Sequence, residues 1–261
     1  MAARSDTDAL GMPIGEMREL GYWVVDRVVE HFERGADDPA IRAGEPAALR
    51  ELLGGPVPQR PGDPREALQT LHEVALSHMQ HGDHPRYLAR VPGPSSFAGV
   101  LGEWLGTGFN AIASSWGGAS GPATVELVVL DWLRELLHLP EGAEGLLVSG
   151  GSLANMTALA AARSQRGPGI AYISDQTHSS VRRGLVTLGF ADAEIRVLAT
   201  DDRLRLPAGT VADAVAADRR DGGRPAFVIA TAGTTNTGAV DELEQIAALC
   251  AAEELWFHID G

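Results

Sequence analysis

The sequence predicts an α/β protein, a mainly parallel sheet with helices on both faces, preceded by a helical N-terminal segment. Three observations carry this expectation. Beyond about residue 145, short apolar runs alternate with helical segments, at the spacing of crossover connections in a parallel sheet. Before it, apolar residues recur at the helical period instead of alternating. Glycine-rich and polar segments then fall at or just past the ends of the apolar runs, where open α/β sheets bind ligands. The expected division is residues 1–92 as the helical segment and 93–261 as the sheet-containing domain.

The N-terminal elements follow from periodicity and punctuation. Over residues 16–33, Leu20, Trp23, Val24, Val28 and Phe32 keep near a 3.6 period, and Gly35 marks the stop. A Pro- and Gly-rich loop at 54–62 precedes a second helix from Asp63, with Leu68, Leu71, Ala75, Leu76 and Met79 on one side and Gly82 as its expected end. A third helix is expected over 96–116. A fourth, from Gly121, places Val125, Val128, Val129, Trp132, Leu133, Leu136 and Leu137 on one broad apolar stripe.

Five strands are then expected, at 146–148, 170–173, 195–198, 227–230 and 255–259, with helices near 152–165, 178–190, 208–221 and 240–253.

Composition removes several classes of function. The formal charge is −14, from 35 acidic residues against 21 basic ones that are all Arg, which opposes any reading based on neutralising a phosphate backbone. No stretch approaches the roughly 20 apolar residues of a membrane span, and the N-terminal residues carry no hydrophobic leader. A cytoplasmic protein is expected, and the single Cys250 fits a reducing compartment. Cys250 shares a helical apolar face with Leu243, Ile246 and Ala247, so it reads as a small core residue.

The chemistry lies in four segments. Residues 149–152, Ser-Gly-Gly-Ser, sit between an apolar run and an Ala-rich helix. Glycines there let a ligand approach the backbone, and the helix start favours an anion, so a phosphate fits, with Ser152 as a further donor. A plain glycine turn capped by serine is the even alternative. His178 opens a helix, where an imidazole can stack on an aromatic ring. Thr234 and Thr235 follow the fourth apolar run. Asp260 ends the last one, with His258 on the same side of the strand. A carboxylate at such a place can keep a pyridine nitrogen protonated.

Together these segments resemble the group II pyridoxal-phosphate-dependent amino acid decarboxylases, the family of aromatic L-amino acid, histidine, glutamate and diaminobutyrate decarboxylases. The resemblance runs from His84 to Gly261 and more loosely into the N-terminal helices. It includes the stretch from His84 to Ser96, similar to the family's substrate-side loop, and the landmark from Ser120 to Glu126 followed by residues 129–133. It implies a fold-type-I large domain, incomplete at its C-terminus, with pyridoxal 5'-phosphate as cofactor. The implied activity is conversion of an L-amino acid to an amine and CO2, in a homodimer when the protein is full length.

The resemblance also implies roles. Gly151 and Ser152 bind the phosphate, His178 stacks on the ring, Thr235 sits beside the ring substituents, Asp260 pairs with the ring nitrogen and His258 supports that end. His178 and Asp260 are the implied catalytic residues, and Val91 and Pro92 lie near the substrate side chain. Two departures, Leu153 in place of a polar residue and Val91 in place of a bulky aromatic, leave an aromatic substrate unsupported.

The family holds its aldehyde on a lysine beyond the Asp, and this chain contains no lysine. An N-terminal fragment of a decarboxylase is therefore the first reading, and a non-catalytic cofactor-binding remnant or dimer partner the second. A third, metal binding by His72, His78, His81 and His84, is weaker, because only His78 and His81 share a helix face. No metal is expected.

Overall fold

Alternate residues of each central strand are buried on opposite faces of one sheet, as a fully covered parallel sheet requires. The computed structural model describes residues 11–88 and 93–261. They fall into two compact units, residues 1–104 and 105–261.

In the first unit α1 (Ile14–Arg34) ends at Gly35, whose N–H bonds to the His31 carbonyl. Trp23 makes an edge contact with His72 at 6.0 Å and lies beneath the guanidinium groups of Arg27 and Arg65. A short helix that periodicity does not reveal, α2 (Pro46–Leu53), starts on Pro46, whose fixed φ suits a first helical position. The expected helix from Asp63 is shorter than Gly82 would allow. Asp63 caps α3 (Pro64–Thr70), and the chain then widens into a π turn over Leu71–Ala75 closed by Leu76 N–H to the Leu71 carbonyl. α4 (Phe97–Gly108) also stops earlier than expected. Its end is rich in glycine, and Asn110 takes a left-handed conformation at φ 49° just beyond.

In the second unit α5 (Trp116–Leu136) is interrupted at Ala119, ahead of Pro122, which supports a helix beginning near Gly121. Its apolar stripe is exposed: Val125, Trp132, Leu133 and Leu136 all face solvent in this chain. The expected strand at 146–148 is absent. Leu146 and Leu147 are exposed, and the Leu147 N–H donates to the Glu126 carboxylate at 3.2 Å instead of to a neighbouring strand.

The remaining strands appear as expected: β1 (Ile170–Ser174), β2 (Ile195–Leu198), β3 (Pro225–Thr231) and β4 (Trp256–Asp260). They form a parallel sheet in the order β2-β1-β3-β4. One face packs Ala171, Ile173, Phe227 and Ile229 against α6 (Gly151–Arg166) and α7 (Ser179–Thr187) through Leu159, Ala162, Val181 and Leu185. The other packs Tyr172, Val228 and Ala230 against α8 (Ala208–Arg220) and α9 (Leu243–Ala252) through Val211, Val215, Ile246 and Cys250. Burial pushes the Cys250 thiol up to about 11, which makes it an inert core residue.

The chain leaves β1 to one side to form β2, then returns across it to form β3. The strand order thus reverses between β1 and β3, and connections from their carboxyl ends run to opposite faces. That opens a crevice at a topological switch point.

A polar triad locks β1, β2 and α8 together. Buried Tyr172 donates its hydroxyl to Asp218 Oδ2 at 2.8 Å, and Arg196 donates from Nε at 3.1 Å and from Nη2 to Oδ1 at 2.6 Å. Arg196 hydrogen bonding, helped by Tyr172, holds the Asp218 carboxyl below 3.8, while burial first and Asp218 second raise the Tyr172 phenol. Removing the carboxylate in Asp218→Ala leaves the phenol buried and unpaired, and should cost about 1–3 kcal/mol in urea denaturation at neutral pH. Because the folded carboxyl is the stronger acid, this contribution is complete above the unfolded carboxyl value and fades as pH falls through the folded one. The gap between wild type and variant should therefore narrow in strong acid.

Candidate functional site

The site begins at the start of α6. Gly150 has φ 152°, a region that residues with a Cβ rarely enter, and no atom lies within 4 Å of a Cβ built on Gly150 or Gly151. The N–H groups that open α6 precede any intrahelical acceptor, and Ser152 is exposed beside them. An anion therefore has an open approach to backbone donors, a hydroxyl and the positive end of a 16-residue helix.

One turn on, Asn155 is buried, roughly 6 Å further along the helix axis from Gly151 at 1.5 Å per residue. Its side chain joins three elements. Nδ2 donates to Asp260 Oδ1 at 3.0 Å, at the end of β4, and to Ser180 Oγ at 3.1 Å, in the first turn of α7. Oδ1 lies 2.8 Å from His258 Nε2.

These contacts fix proton positions. Asn155 Oδ1 can only accept, so His258 carries its proton on Nε2. His178 Nδ1 accepts from the Ser180 N–H at 3.3 Å, so the Ser180 hydroxyl, which accepts from Asn155, donates its own proton to the same Nδ1, 2.7 Å away. The neutral His178 ring then bears its proton on Nε2. Burial pushes the His258 ring below 6.5, with the nearby Asp260 charge partly opposing, so His258 is neutral at pH 7.

The strand register sets the rest. Thr231 pairs with Asp260 and Ile229 with His258, which places Thr231 and Asp260 side by side at the carboxyl ends of β3 and β4. The Thr231 hydroxyl is buried and, among the described residues, unpaired. Buried Asp241 secures this end of β3, accepting from the Thr231 and Leu206 N–H groups at 2.7 Å each. The following loop is closed by the Thr234 and Thr237 hydroxyls at 2.7 Å and by Gly238 N–H to the Thr234 carbonyl. Thr235 is exposed on it.

Of the residues singled out in the sequence, the structure joins His178, His258 and Asp260 in one hydrogen-bonded chain, with Gly151 and Ser152 at the start of the helix that carries its centre. No hydrogen bond links Thr235 to that chain among the described residues. Val91 and Pro92 lie outside the described residues. Sequence reasoning missed Asn155, Ser180 and Asp241. Asn155 left a signal: with Leu159 and Ala162 it keeps the i, i+4, i+7 spacing of the buried face, and an amide on an apolar stripe needs buried partners.

The arrangement suits a phosphorylated aromatic ring. Asp260 Oδ1 is held by Asn155, and Oδ2 has no partner among the described residues, so it is free to accept from a protonated ring nitrogen. The phosphate fits the glycine turn one helical turn away, and His178 can offer its ring face from the α7 start.

The model of the pyridoxal-dependent decarboxylase conserved domain matches residues 46–261. An aromatic-L-amino-acid decarboxylase from Bacillus atrophaeus is 40% identical over 260 residues, covering 98% of this chain and 54% of that protein. The Rhodiola rosea 4-hydroxyphenylacetaldehyde synthase structure superposes with a TM-score of 0.88 at 27% identity, over 95% of this chain and 57% of that one. A structure of Oryza sativa TDC with PLP gives 0.84 at 26% identity, over 94% and 57%. The chain spans about half the length of the curated relatives it matches.

Two outcomes follow from the Asn155 junction. Nitrogen-15 NMR should find His178 and His258 both protonated on Nε2, with His258 titrating below 6.5. Since the unfolded chain then takes up that proton first, stability should decline as pH falls from 6.5 towards the folded value. Asn155→Ala strands Asp260 Oδ1, Ser180 Oγ and His258 Nε2, and should cost about 2 kcal/mol in chemical denaturation.

Proposed function

The chain belongs to the pyridoxal-dependent decarboxylase family, and from that premise we propose that it builds the phosphate- and ring-binding side of a pyridoxal 5'-phosphate site serving decarboxylation of an L-amino acid to an amine. The observation that carries this reading is the Asn155 junction, which holds Asp260, His258 and His178 together one helical turn from the glycine start of α6.

In this reading the Gly151 N–H and the Ser152 hydroxyl bind the phosphate. The His178 ring lies against the cofactor face and excludes water from it. Thr235 lies beside the ring substituents. Asp260 Oδ2 accepts a hydrogen bond from the ring nitrogen, and its charge keeps that nitrogen protonated. His258, neutral and donating to Asn155 Oδ1, holds the amide so that Nδ2 stays on Asp260. When bound, pyridoxal phosphate supplies the electron sink for the pair left at Cα as CO2 departs.

Val91 and Pro92 are proposed to lie on the substrate side. The Bacillus atrophaeus relative makes aromatic L-amino acids the first substrates to test, although Val91 offers no aromatic surface. The complete protein is proposed to be a cytoplasmic homodimer, with residues 1–92 contributing to its interface and to the substrate-side loop and 93–261 to the cofactor domain. A second reading, a cofactor-binding chain without decarboxylase activity, draws on the lack of lysine in these 261 residues.

Titration of the 261-residue chain with pyridoxal phosphate, followed by absorbance, should show saturable non-covalent binding that Ser152→Ala weakens severalfold and Asp260→Ala at least about tenfold, the scale of a lost charge-assisted bond. In the longest product of the gene, CO2 release from a panel of aromatic and acidic L-amino acids tests the activity. Asp260→Ala should lower kcat by roughly a hundredfold or more. Unchanged turnover in that variant would overturn the assigned role, and binding without turnover of any amino acid would favour the second reading.

A further inference from the structure

We propose that His31, His81 and Asp83 form a binding site for a late first-row divalent metal ion, with Zn2+ the ion of matching chemistry. The site lies wholly within the first unit and owes nothing to the cofactor residues. His31 comes from the last turn of α1, and His81 and Asp83 from the segment after the π turn. Backbone pairing brings them together: Ile41 bridges Gln80, the Arg42 N–H bonds to the Met79 carbonyl at 3.1 Å, and the His81 N–H bonds to the Ala40 carbonyl at 2.9 Å. A turn closed by His84 N–H to the His81 carbonyl at 3.2 Å then presents Asp83.

One ligand atom from each of the three residues lies within 4.8 Å of the other two. Four-coordinate zinc with bonds of 2.0–2.1 Å sets its ligand atoms about 3.3 Å apart, so small side-chain rotations close the site. His31 Nε2 already meets Asp83 Oδ2 at 2.7 Å, so these two ligand atoms lie side by side. The His81 ring lies 5.5 Å from the His31 ring at 37°, and its nitrogens make no hydrogen bond among the described residues. A divalent ion takes the Nε2 lone pair of His31, whose proton then sits on Nδ1, and recruits His81, with water as the fourth ligand. Two imidazoles and one carboxylate favour zinc and its neighbours over calcium or magnesium, which take oxygen ligands.

The other histidines of this region are committed elsewhere. His78 Nδ1 faces the Val74 carbonyl at 2.7 Å, His84 Nδ1 accepts from the Arg86 N–H at 3.0 Å, and His72 packs on Trp23. The site is therefore not the helical pair His78 and His81 that spacing suggests. A bound ion would tie the end of α1 to the segment leading into the stretch from His84 to Ser96.

Calorimetric titration of the chelator-treated 261-residue chain with Zn2+ alone, repeated with Co2+ to read its visible spectrum, tests the site. One equivalent should bind saturably, with the spectrum of low-coordinate Co2+. His31→Gln, His81→Gln and Asp83→Asn should each weaken binding at least about tenfold, and His78→Gln should not. Far-UV circular dichroism checks that each variant is folded, and the near-isosteric Asp83→Asn serves should a histidine variant unfold. Absence of saturable binding by the wild type, wild-type affinity in Asp83→Asn or His81→Gln, or an equal loss in His78→Gln would overturn the proposal.

Discussion

A single carboxamide holds the functional end of the sheet together. Asn155 reaches from α6 to β4 and α7, and its amide oxygen sets the His258 proton at one end of the chain while the Ser180 N–H sets the His178 acceptor at the other. Buried polar networks specify geometry in this way because an unpaired member is costly. The orientation of Asp260 and the tautomer of His258 thus depend on one another, and neither is set by its own element alone.

The sheet supplies the platform. Reversal of strand order between β1 and β3 sends α7 to one face and α9 to the other, so the ends of β1 and β3 are not roofed by their own connections. Asp241 stiffens this opening at the carboxyl end of β3, while the Tyr172–Asp218–Arg196 triad ties β1 and β2 to the end of α8, towards the amino ends of the strands. Apolar packing alone would leave strand ends free to adjust by tenths of an ångström. The charge-assisted bonds of Asp241 restrict that freedom at the end of β3, beside Asp260.

Sequence patterning revealed the four paired strands and the four helices around them to within a few residues, because burial on both faces imposes long apolar runs and clear glycine or polar stops. It failed where local composition mimicked burial. Leu146, Leu147 and Val148 read as a strand, yet no strand pairs with them among the described residues. The second predicted helix ended early because a π turn at Leu71–Ala75 keeps the apolar spacing while changing the hydrogen bonding. His178, His258 and Asp260 were legible from their places at element ends. The burial of Asn155 was legible from its place on the apolar stripe of α6, but its partners were not, since they lie 25, 103 and 105 residues away.

Asp260 closes β4, and β4 is an edge strand. One side of its backbone is paired with β3, and no strand pairs with the other among the described residues. A further strand laid along that edge would wall in the carboxylate from its second side. With water removed, the effective dielectric around Asp260 would fall and its attraction for a cationic ring nitrogen would strengthen with no change in distance. The electrostatic strength of the site is thus set at the sheet edge, by whatever completes the β4 ladder.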